Sequence, residues 1–227
     1  MTVLKRPEGS FKLPKLAIFD MDGLLFDTEK VFMNSKAAVH KKYGYSFKLE
    51  DYVQTIGLFG VNRHAKLCQQ YGDDYPADKI FKETRALSDE YIAANRPGVK
   101  PGIEELLIFF NNHGTRCCVA SSTPRKSVEH TVKMGELSQY FEFMICGDEI
   151  TRSKPDPEMF LKACEKAGAA PEEAIVFEDS ANGLLAAFAG GIPAVCIPDM
   201  QQHGKDIIDN VTALVTTAED VPQLFDL

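Results

Sequence analysis

Short runs of apolar residues recur along the chain, and polar residues follow each run. The runs lie at 16–19, 117–120, 143–146, 175–177 and 194–197. Apolar runs without polar alternation are typical of strands that are buried on both faces. Stretches with helical periodicity separate them, at 103–112, 126–134, 157–167 and 182–189. This alternation predicts an α/β fold with a doubly wound parallel sheet.

The interval between the first two predicted strands is much longer than the others. A complete strand–helix–strand crossover needs only about 30 residues, whereas here residues 20–116 separate the two strands. The excess shows helical periodicity, most clearly at 31–44 and 80–92. We therefore expect a helical domain at 31–95, inserted into a sheet domain formed by 1–30 and 96–227. Such an insertion is expected to be a movable cover above the strand ends.

Composition narrows the set of partners. The net charge of −8 disfavours nucleic acid or an anionic membrane as the main partner. The six cysteines form no Cys-x-x-Cys pair, which is typical of buried thiols in a reducing compartment. Residues 1–14 have no apolar signal-peptide region, and no stretch has the length of a membrane span. We expect a cytoplasmic protein, a monomer or weak homo-oligomer, that acts on a small molecule.

Polar residues that could take part in catalysis or ligand binding follow the predicted strands. A parallel sheet brings such residues to one edge. They are Asp20, Asp22, Ser121, Lys154, Glu178 and Asp179. Taken singly, each is typical of a turn, a helix N-cap or a solvated charge. Together they supply carboxylates for a hard cation, a hydroxyl for a phosphate and a lysine for its charge. The set predicts a phosphoryl-transfer site.

At this point the chain resembles a known family. Asp20-Met21-Asp22-Gly23, followed by Ser121, Lys154-Pro155 and Glu178-Asp179, is similar to the four motifs of the haloacid dehalogenase superfamily of phosphotransferases. The resemblance covers nearly the whole chain and is strongest to the β-phosphoglucomutase-like branch. It implies a Rossmann-like core with an inserted α-helical cap.

The resemblance also implies a role for each site residue. Asp20 would be the nucleophile that forms an aspartyl-phosphate, and Asp22 would be the general acid and then the general base. Ser121 would bind a phosphoryl oxygen, and Lys154 would neutralise charge beside Asp20. The cofactor would be Mg²⁺, held by Asp20, Glu178, Asp179 and the backbone carbonyl of Asp22.

Two positions in the predicted cap bear on the reaction type. β-Phosphoglucomutases carry a histidine in the first cap helix where this chain has Phe32. Their cap also holds an arginine for the distal phosphate, whereas the loop at 57–62 has none, although Arg63 is close by. We therefore expect a Mg²⁺-dependent phosphatase that hydrolyses a small phosphorylated metabolite such as a sugar phosphate. A phosphomutase of the β-phosphoglucomutase type is the alternative.

Proteins of another class share part of this pattern. Receiver domains of signalling systems accept phosphate on an aspartate at a strand end, and a catalytically idle protein on the same fold would only bind phosphate. The helical insertion and the second carboxylate, Asp22, argue against a receiver domain. The complete set of six site residues argues against an idle phosphate-binding protein.

Overall fold

The computed structural model describes residues 3–5, 11–48, 50–51 and 60–226, with the side chains of 3–5 and 60–65 outside the description. The chain divides into two compact units. One, the sheet unit, comprises Met1–Asp27 and Pro97–Leu227, and the other, the helical unit, comprises Thr28–Arg96. The helical insertion predicted at 31–95 falls within the second unit.

The sheet unit contains a seven-stranded sheet within the described residues. In chain order the strands are β1 Val3–Lys5, β2 Leu16–Phe19, β3 Arg116–Ser121, β4 Phe143–Cys146, β5 Ala174–Glu178, β6 Ala194–Cys196 and β7 Ala213–Val215. Their spatial order is β1-β7-β6-β5-β2-β3-β4. Strands β2 to β7 are parallel, and β1 pairs antiparallel with β7. The predicted doubly wound parallel sheet is confirmed.

Strand β2 lies at the centre of the sheet, between β3 and β5. Its four residues are fully buried, and they alternate between the two faces. Ala17 and Phe19 join the hydrophobic cluster on one face, whereas Leu16 and Ile18 join the cluster on the other. Burying a large apolar side chain stabilises the fold by about 1.5–3 kcal/mol. The unbroken apolar run therefore reflects a strand covered on both sides.

Eight α-helices lie within the described chain. They are α1 Thr28–Lys42, α2 Gly60–Tyr71, α3 Ala77–Ala94, α4 Ile103–Asn112, α5 Arg125–Met134, α6 Glu158–Ala167, α7 Ala181–Ala189 and α8 Lys205–Ile208. None of these helices combines the length and the apolar character that crossing a membrane requires.

The helical unit has its own small core. Val39, Leu67, Tyr75 and Ile80, from α1, α2, α3 and the segment before α3, form a buried cluster. Beside it, His40 is fully buried. Its Nδ1–H donates to the carbonyl of Lys36 at 2.7 Å, and its Nε2 accepts from the Tyr75 hydroxyl at 2.7 Å. Burial lowers the pKa of His40, which favours the neutral ring.

The chain leaves the sheet unit and returns to it along two paired segments. Asp27 N–H donates to the carbonyl of Gly98 at 2.9 Å, and Lys100 N–H donates to the carbonyl of Leu25 at 2.9 Å. Phe26 forms an antiparallel bridge with Val99. The two ends of the insertion are therefore hydrogen-bonded to each other within the sheet unit.

Candidate active site

The carboxyl ends of three adjacent strands supply the centre of the site. Asp20 follows β2 directly, Ser121 is the last residue of β3, and Glu178 is the last residue of β5. The Asp20 N–H donates to the carbonyl of Phe177 at 3.1 Å, which continues the pairing of β2 with β5. Because parallel strands end at the same edge, the predicted residues meet there.

Lys154 joins the two carboxylates. Its Nζ lies 2.5 Å from Asp20 Oδ1 and 2.7 Å from Glu178 Oε1, and it also donates to the carbonyl of Ala120 at 3.3 Å. The side chains of Lys154 and Glu178 are only 6% and 0% exposed. The ring of Phe160 covers the ammonium group at 4.9 Å from its centroid. Lys154 is therefore a buried bridge between two anions, although a lysine outside a helix is usually solvated.

This arrangement shifts the pKa values of both partners. Burial raises the pKa of Asp20 to about 8; Lys154 opposes that rise, and the charges of Glu178 and Asp22 add to it. Burial acts to lower the pKa of Lys154, but the negative charges of Asp20 and Glu178 outweigh burial and raise it. Lys154 is thus a permanent cation, and full ionisation of Asp20 at neutral pH needs further positive charge.

A third carboxylate completes a group that fits a metal ion. Asp20, Glu178 and Asp179 are all buried, and each places one carboxylate oxygen within 4.8 Å of the others. If all three carboxyl groups were ionised, their negative charge would exceed the single positive charge of Lys154 in a buried place. Hard oxygen donors in this number suit Mg²⁺, which binds through few carboxylates and keeps several waters. The residues present therefore fit a divalent cation.

The second aspartate lies beside the loop after β3. The Thr123 hydroxyl donates to Asp22 Oδ2 at 3.0 Å, and Thr123 N–H donates to the hydroxyl oxygen of Ser121 at 3.1 Å. Ser121 is 1% exposed, and its hydroxyl hydrogen remains a donor in this geometry. Thr123 orients the proposed acid–base residue, and it was not among the predicted site residues.

The turn after β5 holds Glu178 with two further residues that the sequence analysis did not select. Ser180 donates to Glu178 Oε2 through its N–H at 2.7 Å and through its hydroxyl at 2.9 Å. The same hydroxyl accepts from Gly183 N–H and caps α7. A Cβ atom at Gly183 would lie 1.7 Å from Glu178 Oε1. A glycine inside a predicted helix could have indicated this close approach, because glycine there costs about 1 kcal/mol relative to alanine.

The backbone of Asp179 has a partner from a distant loop. The ring of His203 lies 2.6 Å from the carbonyl oxygen of Asp179, measured from Nε2. Because a carbonyl oxygen can only accept, Nε2 carries the hydrogen. His203 is not among the predicted site residues, because no sequence motif includes it.

A parallel α/β sheet with acidic residues and a lysine at its carboxyl edge agrees with the arrangement that the four motifs imply. The family model described as "Haloacid dehalogenase-like hydrolase" matches residues 17–197. The chain belongs to this family. The resemblance inferred from the four motifs is confirmed.

Similar proteins cover most of this chain. A protein named "Phosphorylated carbohydrates phosphatase" from Thermotoga maritima is 28% identical over 210 residues, which are 90% of this chain and 94% of that one. Protein CbbY from Rhodobacter capsulatus is 30% identical over 92% of this chain and 98% of its own. The crystal structure of CbbY from Rhodobacter sphaeroides in complex with phosphate has a TM-score of 0.77 at 24% identity, covering 94% of this chain and 100% of that one. The expected class, a phosphoric monoester hydrolase, agrees with the first of these names.

Proposed function

We propose that this protein is a Mg²⁺-dependent phosphatase that hydrolyses a small phosphorylated metabolite, such as a sugar phosphate, through an aspartyl-phosphate on Asp20. The observation that carries the proposal is the buried group of Asp20, Glu178 and Asp179, two of which, Asp20 and Glu178, share the ammonium of Lys154. Such a concentration of buried charge is costly, and it is typical of sites where charge does chemistry.

In the first step, ionised Asp20 attacks the phosphorus atom of the substrate. The bond from Asp20 Oδ to phosphorus forms, and the bond to the leaving alkoxide breaks. Asp22 gives its proton to the leaving oxygen, so that an alcohol departs. Lys154 and the Ser121 hydroxyl stabilise the charge on the phosphoryl oxygens.

In the second step, Asp22 reverses its role. It takes a proton from water, whose oxygen attacks the phosphorus of the aspartyl-phosphate, and Asp20 leaves as a carboxylate. The products are inorganic phosphate and the enzyme in its first state. The bond from Thr123 to Asp22 Oδ2 holds the acid–base carboxyl in one orientation for both steps.

The cation would be held by the carboxylates of Asp20, Glu178 and Asp179 and by the backbone carbonyl of Asp22. When bound there, Mg²⁺ supplies the positive charge that favours ionised Asp20 and reduces its repulsion of a phosphate dianion. Both oxygens of Glu178 already accept hydrogen bonds. Oε2 accepts two bonds from Ser180, whereas Oε1 accepts one from Lys154 and keeps a second lone pair, which is compatible with a ligand role.

Hydrolysis is favoured over phosphoryl return to a sugar by the residue at position 32. Within the helical unit, the guanidinium of Arg85 lies 5.4 Å from the ring centroid of Phe32. A phenyl ring has no exchangeable proton and cannot replace a histidine in acid–base chemistry. Of the cap loop at 57–62 and Arg63, residues 57–59 lie outside the described residues, and only the backbone of 60–63 is described. We also propose that the helical unit is a cap that selects the substrate.

The decisive experiment measures phosphate release from p-nitrophenyl phosphate and a panel of sugar phosphates, with the variant Asp20→Asn. We expect turnover that EDTA removes and Mg²⁺ restores, and a loss of at least about 10³-fold in the variant, since removing a nucleophile removes the covalent route. Mass spectrometry of a rapidly acid-quenched reaction should show a phosphoryl group on the wild-type chain only.

The matched control is Asp209→Asn, which makes the same chemical change at an exposed position of the sheet unit. It should hydrolyse phosphate esters at the wild-type rate. Substantial turnover by the Asp20 variant would contradict the proposal. A reaction that stops after one phosphate per chain would instead indicate a phospho-accepting signalling protein.

A further inference from the structure

The loop after β6 contacts the turn that carries the proposed metal ligands. At the end of β5, the carbonyl of Glu178 accepts from Ile197 N–H at 2.9 Å, as an extension of the pairing between β5 and β6. One residue further, the carbonyl of Asp179 is bonded by His203 at 2.6 Å. The chain after β6 therefore continues to hold the chain after β5 beyond the end of the sheet.

A second contact acts on the same turn. The side-chain oxygen of Gln201 accepts from Ala181 N–H at 3.4 Å, at the first residue of α7. The first N–H groups of a helix have no partner within the helix. The loop thus supplies a donor to the residue before Ser180 and an acceptor to the residue after it.

The loop is itself anchored at its other end. Asp199 Oδ1 lies 2.5 Å from the Nζ of Lys100, and both side chains are largely shielded from solvent. Lys100 is fixed in turn through its N–H, which donates to the carbonyl of Leu25 in the turn after Asp20 and Asp22. A continuous chain of contacts therefore joins the two acidic loops of the site through residues 199–203.

We propose that His203 is a positioning residue, which fixes the backbone of Asp179 so that its carboxylate points at the cation shared with Asp20. This inference rests on the proposed magnesium site and adds a residue that the family motifs do not include. The imidazole acts through the main chain, because its Nε2–H bonds the carbonyl oxygen and not the carboxylate. Groups that orient metal ligands typically contribute about 10- to 100-fold to metal affinity.

The test is Mg²⁺ binding to the metal-free 227-residue chain, measured by isothermal titration calorimetry. His203→Ala should raise the Kd for Mg²⁺ by about 10-fold, since the ligand turn loses its donor. His203→Gln places an amide donor at a similar reach and should restore most of the affinity. His203→Asn is polar but too short for the carbonyl, and it should bind as weakly as the alanine variant.

The matched control is His113→Ala, because His113 also bonds a backbone carbonyl, that of Phe109 at 2.8 Å, but in an exposed position. Its Kd should equal that of the wild-type protein. An unchanged Kd in both His203→Ala and His203→Asn, even with a lower melting temperature, would overturn the positioning role while leaving the metal site intact.

A different result would identify a failure of the metal site itself. Asp179→Asn serves as the reference, and it should abolish saturable Mg²⁺ binding in this range. If the wild-type chain binds no Mg²⁺, or if Asp179→Asn binds it as tightly as the wild type, both the metal site and the role of His203 are overturned. The Asp179 variant therefore separates the two proposals.

Discussion

The sheet unit and the helical unit each bury polar side chains, but with different chemistry. In the sheet unit, Lys154 bridges Asp20 and Glu178, and all three groups can carry charge. In the helical unit, His40 and Tyr75 form a neutral pair among aromatic rings, with the ring of Phe47 at 4.5 Å from that of His40. Burying charge costs far more than burying a hydrogen-bonded neutral pair.

The difference between the two buried groups supports the proposal that the chemistry takes place in the sheet unit. A neutral pair that satisfies its own donors and acceptors stabilises a fold and needs no ligand or counter-charge. The buried group in the sheet unit brings three carboxyl groups together beside one lysine, an arrangement that a bound cation would balance. We interpret the His40–Tyr75 pair, the helical centre, as structural. We interpret the group of Asp20, Lys154, Glu178 and Asp179, the sheet centre, as functional.

The largest effect is expected from removing the ammonium group of Lys154. Lys154→Met keeps the volume of the side chain but leaves two buried carboxylates without their ammonium, and it should destabilise the metal-free protein by about 3 kcal/mol. Asp20→Asn should cost much less, because Lys154 keeps Glu178 as its partner. Urea unfolding in EDTA measures both changes.

Lys162→Met is the matched surface control, since Lys162 pairs with Glu158 at 2.8 Å and is 40% exposed. Exposed ion pairs contribute only about 0–1 kcal/mol, so this variant should unfold close to the wild type. Equal losses for Lys154→Met and Asp20→Asn would contradict the description of Lys154 as the ammonium that both carboxylates share.

A smaller effect is expected at the glycine that faces Glu178. Alanine in place of glycine normally stabilises a helix, but Gly183→Ala would press a methyl group against the Glu178 carboxylate. We expect a loss of about 1–3 kcal/mol from this overpacking, measured by urea unfolding. The double variant Gly183→Ala, Glu178→Asp shortens the opposing side chain and should recover part of the loss. Additive effects of the two changes would contradict direct contact.

The smallest effect is a pH dependence that belongs to the helical centre. The pKa of His40 is lowered by burial in the folded state, so the unfolded chain binds a proton more readily. The stability from the neutral ring is complete above the unfolded pKa of about 6.5. It is lost as the pH falls through the folded pKa.

Urea midpoints at pH 8 and pH 5 measure this effect. The wild-type protein should lose more stability between the two values than His40→Gln, whose side chain does not titrate. An equal loss in both proteins would assign the pH dependence to other groups. It would also remove the evidence that the helical centre depends on a neutral ring.

The parts of the fold that the sequence predicted are those with long, strong patterns. Strand β2 is an unbroken apolar run, and it lies where the run predicted it. Strands β1 and β7 have only three residues each and were not predicted. Strand β6 is equally short, but it lies within a four-residue apolar run at 194–197 that a helical stretch precedes, and this context predicted it. Strand β1 depends on its pairing with β7, more than 200 residues away in the chain.

The site shows the same division between local and distant information. Asp20 and Glu178 could be selected because each stands at the end of an apolar run. The contact of His203 with Asp179 crosses 24 residues and depends on a loop without periodicity. No local pattern specifies such a contact, because it arises only when β5 and β6 lie side by side.

The paired segments at the edge of the insertion have an evolutionary consequence. Since Asp27 and Gly98 bond each other, the sheet unit satisfies its own backbone at the junction, whatever chain connects the two ends. A different module, or a short linker, could replace residues 28–96 without leaving those backbone groups unpaired. If the helical unit selects the substrate as proposed, exchange of this module would change substrate preference and leave the proposed catalytic residues of the sheet unit in place.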